Sequence, residues 1–369
     1  MSPEVVRRRP LVHIGGLTGS SLPPSVIRVM MRTQEREPLA EEPGGETDAP
    51  RRLHADPGIP DRAFRTVARG GGGLVLAVML LVGGFLLYRA WQALERAGWS
   101  FLTTETWEPD AGRFGIAAVL IGTVLIALTA IVVAVPLALG AALYISEYAP
   151  PRLRRTLISV VDLMAAVPSV VYGLWGLFFF EGAVLPTARW IATYLGWFPL
   201  FRVEGADPSD PLAPETVYTS STLVAGIVVA LMVAPIICSV MREVFSQAPA
   251  GEREGAYALG ATRWGMIRSV VLPFGKGGMI GGTMLGLGRA LGETIAVYLI
   301  ISPVFEIQWH VLQNGASSVA ALIALRYGES SPFGMSALMA AGLALFLLTL
   351  VVNFAASSIV ARSRSGAST

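Results

Sequence analysis

Six apolar stretches, each long enough to cross a membrane as a helix, constrain this chain more than any other feature of its sequence. A spanning helix needs about 20 mostly apolar residues. Residues 72–90, 114–145, 157–180, 222–240, 279–301 and 335–360 each meet that need. The second is too long for one straight span, and Pro136 inside it marks a kink or the start of an extension toward the cytoplasm. Residues 183–201 are moderately apolar but hold Pro186, Arg189, Gly196 and Pro199, so they read as an interfacial or loop helix. Charged residues make up 15% of the chain, well below the roughly 25% of soluble domains. The expected fold class is therefore all-α, a polytopic membrane protein of six transmembrane helices.

Arginines orient the spans. They crowd the N-terminal tail, the "PPRLRR" that follows span two, the 241–276 connection and the C-terminal end, whereas the alternate loops are acidic, with Glu105, Glu108, Asp110, Asp207, Asp210, Glu306 and Glu329. Both termini are expected in the cytoplasm. Residues 1–70 are rich in Arg, Glu, Pro and Gly without an apolar period and read as a disordered cytoplasmic tail. Residues 71–113 then hold the first helix and an outer loop, and 114–361 hold the remaining five helices. No apolar h-region follows an early basic segment, so no cleaved signal peptide is expected. A net charge of +2 argues against a nucleic-acid binder.

The connection between spans four and five, residues 246–273, is patterned. Pro249 can begin a helix, with Glu252 and Glu254 in a first turn where acids complement the dipole. Gly260 is a helix stop. Thr262 can cap a second helix over 263–271, which Pro273 is expected to end before span five. Such a helix–turn–helix either lies on the headgroups or docks its small and apolar face in a partner's groove.

Span five carries a charged pair. At ~100° per residue, Gly278, Gly282, Gly286, Arg289 and Glu293 fall within an arc of about 80°. Glycines at this spacing let helix backbones approach closely, so the stripe is expected to face protein or a water-filled path. An intramembrane arginine costs about 2.5–3.5 kcal/mol on insertion scales and is usually paired. Either Arg289 and Glu293 neutralise each other and lock packing, or Arg289 offers guanidinium donors to a passing anion while Glu293 holds it in place. In "AAVPSVVYGLWGL", residues 165–177, Pro168 can loosen the helix, and Ser169 and Tyr172 then give polar contacts near a path. The alternative is a kinked packing helix with Ser169 bonded to its own turn. Glu147 reads as an ion-pair partner of the adjacent "PPRLRR", and Asp162 as interfacial or paired with Arg155.

These motifs carry a resemblance. Glu254-Gly255-Ala256, Gly260 and Val270-x-Leu272-Pro273 resemble the E-A-A-x3-G-x9-I-x-L-P loop of ABC importer permeases, with Gly255 in place of the first motif alanine and Val270 in place of its isoleucine. "GRALGETIAV", "AAVPSVVYGLWGL" and "YISEYAPPRLRRTL" resemble the phosphate importer permeases, more the PstC than the PstA type. The resemblance covers about 114–360. It implies the type I importer permease fold, a coupling loop at 246–273 that enters a cleft on the ATP-hydrolysing subunit, and roles for Arg289 and Glu293 in phosphate passage. It implies as partners a homologous PstA-type permease, two ATPase subunits and an extracytoplasmic phosphate-binding protein.

The chain carries no G-x-x-x-x-G-K-[ST] of its own. It is expected to be a non-catalytic subunit that binds no cofactor, with ATP used by the partner ATPase. Another oxyanion such as sulfate or molybdate, or a passive anion channel, are the competing readings. A membrane enzyme is disfavoured by the lack of H-E-x-x-H or G-x-S-x-G and by the scattering of His13, His54 and His310.

Overall fold

The computed structural model describes residues 59–365 apart from Pro211. Among the described residues, six helices are long and apolar enough to cross a membrane: Asp61–Leu102, Ala117–Tyr148, Ser169–Leu195, Thr222–Ser246, Arg263–Leu291 and Pro332–Ala355. The expected number holds, but three boundaries move. The first helix, α1 (Ile59–Ala97), includes the last part of the segment expected to be a tail; the rest of that segment, 1–58, lies outside the described residues. The second, α2 (Ala117–Leu143), runs through Pro136 and closes in a wider π turn, Tyr144–Tyr148.

The third boundary changes the topology of a span. The chain turns extended at Val167 and Pro168, which separates α3 (Pro151–Ala166) from α4 (Ser169–Trp175). The residue before proline is disfavoured in the helical region, and Val167 takes ψ 130°. A π turn, Gly176–Phe180, then leads directly into α5 (Glu181–Leu195). The segment expected to be a separate loop helix is thus the far half of span three.

The bundle is organised by small residues. Ala127, Ala130, Ala134, Ala138 and Ala142 form a buried stripe on α2 against Val224, Val228, Met232 and Cys238 of α6 (Thr222–Ser246). Alternation of alanine and valine lets these helices approach closely, which substitutes for the hydrophobic drive absent between helices in lipid. A second cluster joins the end of α1 to the last helix, α12 (Pro332–Ser365), through Ala90, Ala93, Ala337 and Ala341. There the Ser336 hydroxyl donates to the Arg89 carbonyl at 2.8 Å and accepts from the Ala93 N–H at 3.3 Å.

Between α6 and α12 lie the candidate coupling segment and the charged span. Helix α7 (Ala250–Ala258) is followed by a turn, then α8 (Arg263–Met266), a π turn over Ile267–Val271, and α9 (Leu272–Leu291). Pro273 does not end the helix. The i→i−5 turn before it widens the backbone ring and relieves the clash that a proline makes with the preceding turn, so one continuous rod runs from Arg263 to Leu291. After a break comes α10 (Ile295–Ile300).

The stretch that follows α10 is not a simple loop. Residues 301–318 thread back over the bundle: the Val311 N–H donates to the Leu200 carbonyl, and the Asn314 N–H to the Val217 carbonyl. A further helix, α11 (Val319–Arg326), is seated by the buried Thr123 hydroxyl, which accepts from the Val319 N–H at 2.9 Å. The carbonyl of Ser317 lies so close to Gly122 that no side chain fits between them.

Candidate substrate path and coupling segment

The glycine ladder of α9 does what its spacing requires. A Cβ on Gly275 would meet the Phe245 ring, one on Gly278 the Val244 side chain, one on Gly282 the Ile237 carbonyl, and one on Gly286 the Ile237 side chain at 2.5 Å. The stripe therefore faces α6, backbone against backbone. The charged pair continues it differently from the expectation. Helix α9 ends at Leu291, and Gly292, Glu293 and Thr294 leave the helix before α10 resumes. Arg289 and Glu293 are thus not neighbours on one helical face, and they form no ion pair. Glu293 is buried, 8% exposed, and its Oε1 accepts the Ala296 N–H at 3.2 Å, capping α10. Arg289 is exposed and, among the described residues, has no hydrogen-bond or ion-pair partner.

The level of this break follows from its neighbours. Gly286 faces Ile237, near the middle of the 25-residue α6. Arg289 lies about 4.5 Å further along the axis, level with the middle turns of α6. The Val167–Pro168 break sits beside it. A Cβ on Gly173 of α4 would meet the Ala296 backbone at 2.9 Å, and one on Gly176 would meet both Val228 and Ile300. The two glycines let α4 and α10 pack closely enough to set both interruptions side by side. The "AAVPSVVYGLWGL" and "GRALGETIAV" motifs, far apart in sequence, thus meet within the bundle.

Of the polar groups expected there, Tyr172 is half-buried and its hydroxyl donates to the Met164 carbonyl at 3.0 Å. That bond bridges the Pro168 break: the Met164 carbonyl, whose i+4 residue Pro168 has no N–H to give, accepts both the Tyr172 hydroxyl and the Val167 N–H. Ser169 opens α4 and is half-buried; no bond from its hydroxyl back to its own turn is present. Asp162 is exposed and unpaired with Arg155 among the described residues.

The coupling segment folds largely as its caps dictate. Pro249 precedes α7, and the helix closes in a Schellman arrangement: the Gly260 N–H donates to the Tyr257 carbonyl and the Ala261 N–H to the Ala256 carbonyl. Gly260 takes φ +84°, a left-handed conformation that glycine adopts without strain. The Thr262 hydroxyl then accepts the Gly265 N–H at 3.1 Å, capping α8. Glu254, Gly255, Gly260 and Pro273 are exposed, whereas Ala256, Val270 and Leu272 are half-buried. Gly255 faces open space, so the alanine of the motif would fit. At the tip, Leu259 is 92% exposed, with Tyr257 and Trp264 also exposed. Arginines of this segment reach an unexpected partner. Glu147 pairs with Arg253 at 3.0 Å and not with the adjacent "PPRLRR".

Comparison with known proteins bears on this arrangement. Residues 134–365 match the model of the family described as binding-protein-dependent transport system inner membrane component. The chain is 39% identical over 310 residues to a protein of Mycobacterium tuberculosis named phosphate transport system permease protein PstC 2, covering 83% of this chain and 93% of that protein. It is 40% identical over 303 residues to the PstC of Mycobacterium leprae, covering 81% and 92%. PstC of Pasteurella multocida is 36% identical over 298 residues, covering 80% and 89%. A bacterial alginate ABC transporter, solved in complex with an alginate pentasaccharide-bound periplasmic protein, shares the fold with a TM-score of 0.54 at 15% identity, over 82% of this chain and 95% of that one. Six candidate spans, two breaks at the middle of the bundle and these relatives agree: the chain is a multi-pass membrane protein that belongs to the binding-protein-dependent transport system inner membrane components, among the PstC-type phosphate transport permeases.

Proposed function

We propose that this chain is the permease subunit that carries inorganic phosphate through an ATP-driven importer of the cytoplasmic membrane. It works beside a homologous PstA-type permease and two ATPase subunits, and receives phosphate from an extracytoplasmic binding protein. The chain itself binds no cofactor; ATP is consumed by the ATPase pair. Both termini face the cytoplasm, with the residues before α1 and the coupling loop (246–273) on that side. Helix α1 with its outer loop and the transmembrane domain of 114–361 make up the rest.

The observation that carries this reading is Arg289, exposed and without a partner among the described residues, beside two broken helices. A cation of this kind is costly in a membrane unless it meets an anion or water. Its planar guanidinium can bind two oxygens of a phosphate at once. Glu293 lies close in sequence but is committed to capping α10, so its charge moderates the local field without occupying the donors. A modest field favours release, since a transported ion must leave as readily as it enters. Ser169 and Tyr172 line the same level. The Tyr172 hydroxyl donates to the Met164 carbonyl, so the tyrosine braces the Pro168 break. Discontinuous helices at mid-bundle are a recurrent way to expose backbone groups to cargo without exposing them to lipid.

The test is uptake of labelled phosphate by proteoliposomes holding the full complex. Uptake that needs ATP and the binding protein, and that excess sulfate or molybdate does not compete away, supports the reading. Uptake without ATP makes the chain a passive channel, and loss of the signal to sulfate moves it to another oxyanion.

A further inference from the structure

The π turn that ends α2, Tyr144–Tyr148, is held at two adjacent residues by two arginines of the coupling segment. Arg253 of α7 pairs with Glu147 at 3.0 Å, and its other terminal nitrogen donates to the Phe245 carbonyl at the end of α6 at 2.6 Å. Arg263, the first residue of α8, lies over the Tyr148 ring at 5.3 Å. The ion pair is not a surface decoration. The Glu147 side chain is 4% exposed and that of Arg253 21%, while Glu147 Oε1 and Arg253 Nε are buried without partners. A pair so placed gives little net stability, because desolvation offsets its attraction. Its consequence is geometric: it fixes α7 against two helices at once.

The connectivity gives that fixation its meaning. The coupling segment is joined by the chain to α6 at one end and to α9 at the other, where it becomes one rod with the span. Helix α2 has no such covalent link. No residue of α7 is fully buried, so this helix is not carried by a core of its own. We infer that Glu147–Arg253, seconded by Tyr148–Arg263, is a clasp through which the coupling segment moves span two. A displacement of α7 then reaches α2, α6 and α9 together. Those are the helices whose small-residue seams hold the bundle around Arg289. Arg253 is a positioning residue and touches no cargo. The inference rests on the functional reading above, since it assigns the clasp to ATP-driven motion.

The test uses the full complex in nanodiscs and proteoliposomes. Removing one partner leaves a buried unpaired charge, which alone can unfold the site. The informative variant is therefore the apolar double, E147M/R253M, with R253K as the conservative companion. Two quantities are read: amide exchange in peptides covering 144–149 and 250–258, and phosphate taken up per ATP hydrolysed. The double variant is expected to assemble and hydrolyse ATP, to exchange roughly tenfold faster in both peptides, and to lose about tenfold in phosphate per ATP. R253K, which keeps the charge but not both bonds, is expected to fall between. Unchanged exchange overturns the clasp, and faster exchange with wild-type phosphate per ATP overturns its part in coupling. A wild-type complex that moves no phosphate strikes the functional reading instead, while the exchange comparison still decides the clasp.

Discussion

Two glycine seams run through this bundle and end in opposite ways. Along the α6–α9 seam, Gly275, Gly278, Gly282 and Gly286 bring two unbroken helices together with only apolar side chains between them. Along the α4–α10 seam, Gly173 and Gly176 do the same against Ala296 and Ile300, but both helices start at an interruption. The first seam is a bearing that has no polar group to offer. The second leaves, at one level, a capped carboxylate, a bridged carbonyl and a guanidinium with no partner among the described residues. Close packing by glycine is thus common to both, and the breaks alone separate scaffold from candidate path.

That difference can be broken by substitution, beginning with the bearing. Gly286→Val would drive a branched side chain into Ile237. Overpacking of this kind costs about 3 kcal/mol at the upper end of its usual range, so thermal unfolding in detergent is expected well below wild type, with uptake lost in proportion to folded protein. A wild-type unfolding temperature would mean that the seam is loose. Gly173→Ala sharpens the contrast. Its Cβ would meet the Ala296 backbone at 2.9 Å, and the expected cost is nearer about 1 kcal/mol. Uptake per folded molecule should nevertheless fall, because the two breaks are pushed apart; equal losses in both readouts would erase the distinction between the seams.

Glu293 separates charge from capping. Glu293→Gln retains an oxygen for the Ala296 N–H, whereas Glu293→Leu removes it at a cost of about 1 kcal/mol. If the cap matters most, thermal stability falls only in the leucine variant; if both variants are equally stable, the cap is not holding α10. The smallest effect belongs to the coupling segment. Gly255→Ala adds a methyl in open space within a helix and should stabilise α7 by about 0.5–1 kcal/mol. Slower amide exchange across 250–258 with unchanged ATPase binding is expected, and weaker binding would show that Gly255 is needed for a close approach.

What the sequence made legible was local. Pro249, Gly260 and Thr262 declare their helix ends through backbone geometry that each residue type favours on its own, and the structure keeps all three. The ladder of α9 was legible because glycine spacing reports close approach. The break after Leu291 was not, since no proline marks it and a 100° progression extends through Gly292 to Thr294 as readily as through any helix. Pro168 and Pro273 look alike in sequence, yet one interrupts its helix and the other does not; the π turn before Pro273 makes that difference. The Glu147–Arg253 pair joins residues 106 positions apart, and a nearer cluster of arginines in "PPRLRR" offered the more obvious partner. Helix α11 was hidden for a similar reason: its seat on Thr123 is a tertiary contact.

Arg289, without a partner among the described residues and beside the two breaks, is the proposed contact for phosphate. The most direct test is ATP-dependent phosphate uptake by the full complex with Arg289→Ala, alongside its membrane level, unfolding temperature and ATPase binding. Because Arg289 has no partner among the described residues, its removal should leave stability within about 0.5 kcal/mol, as for a site away from buried networks, while uptake falls by roughly a hundredfold, the scale of a lost charge-assisted contact to the cargo. A variant that transports like the wild type, or one that loses uptake only because the protein no longer folds, would contradict it.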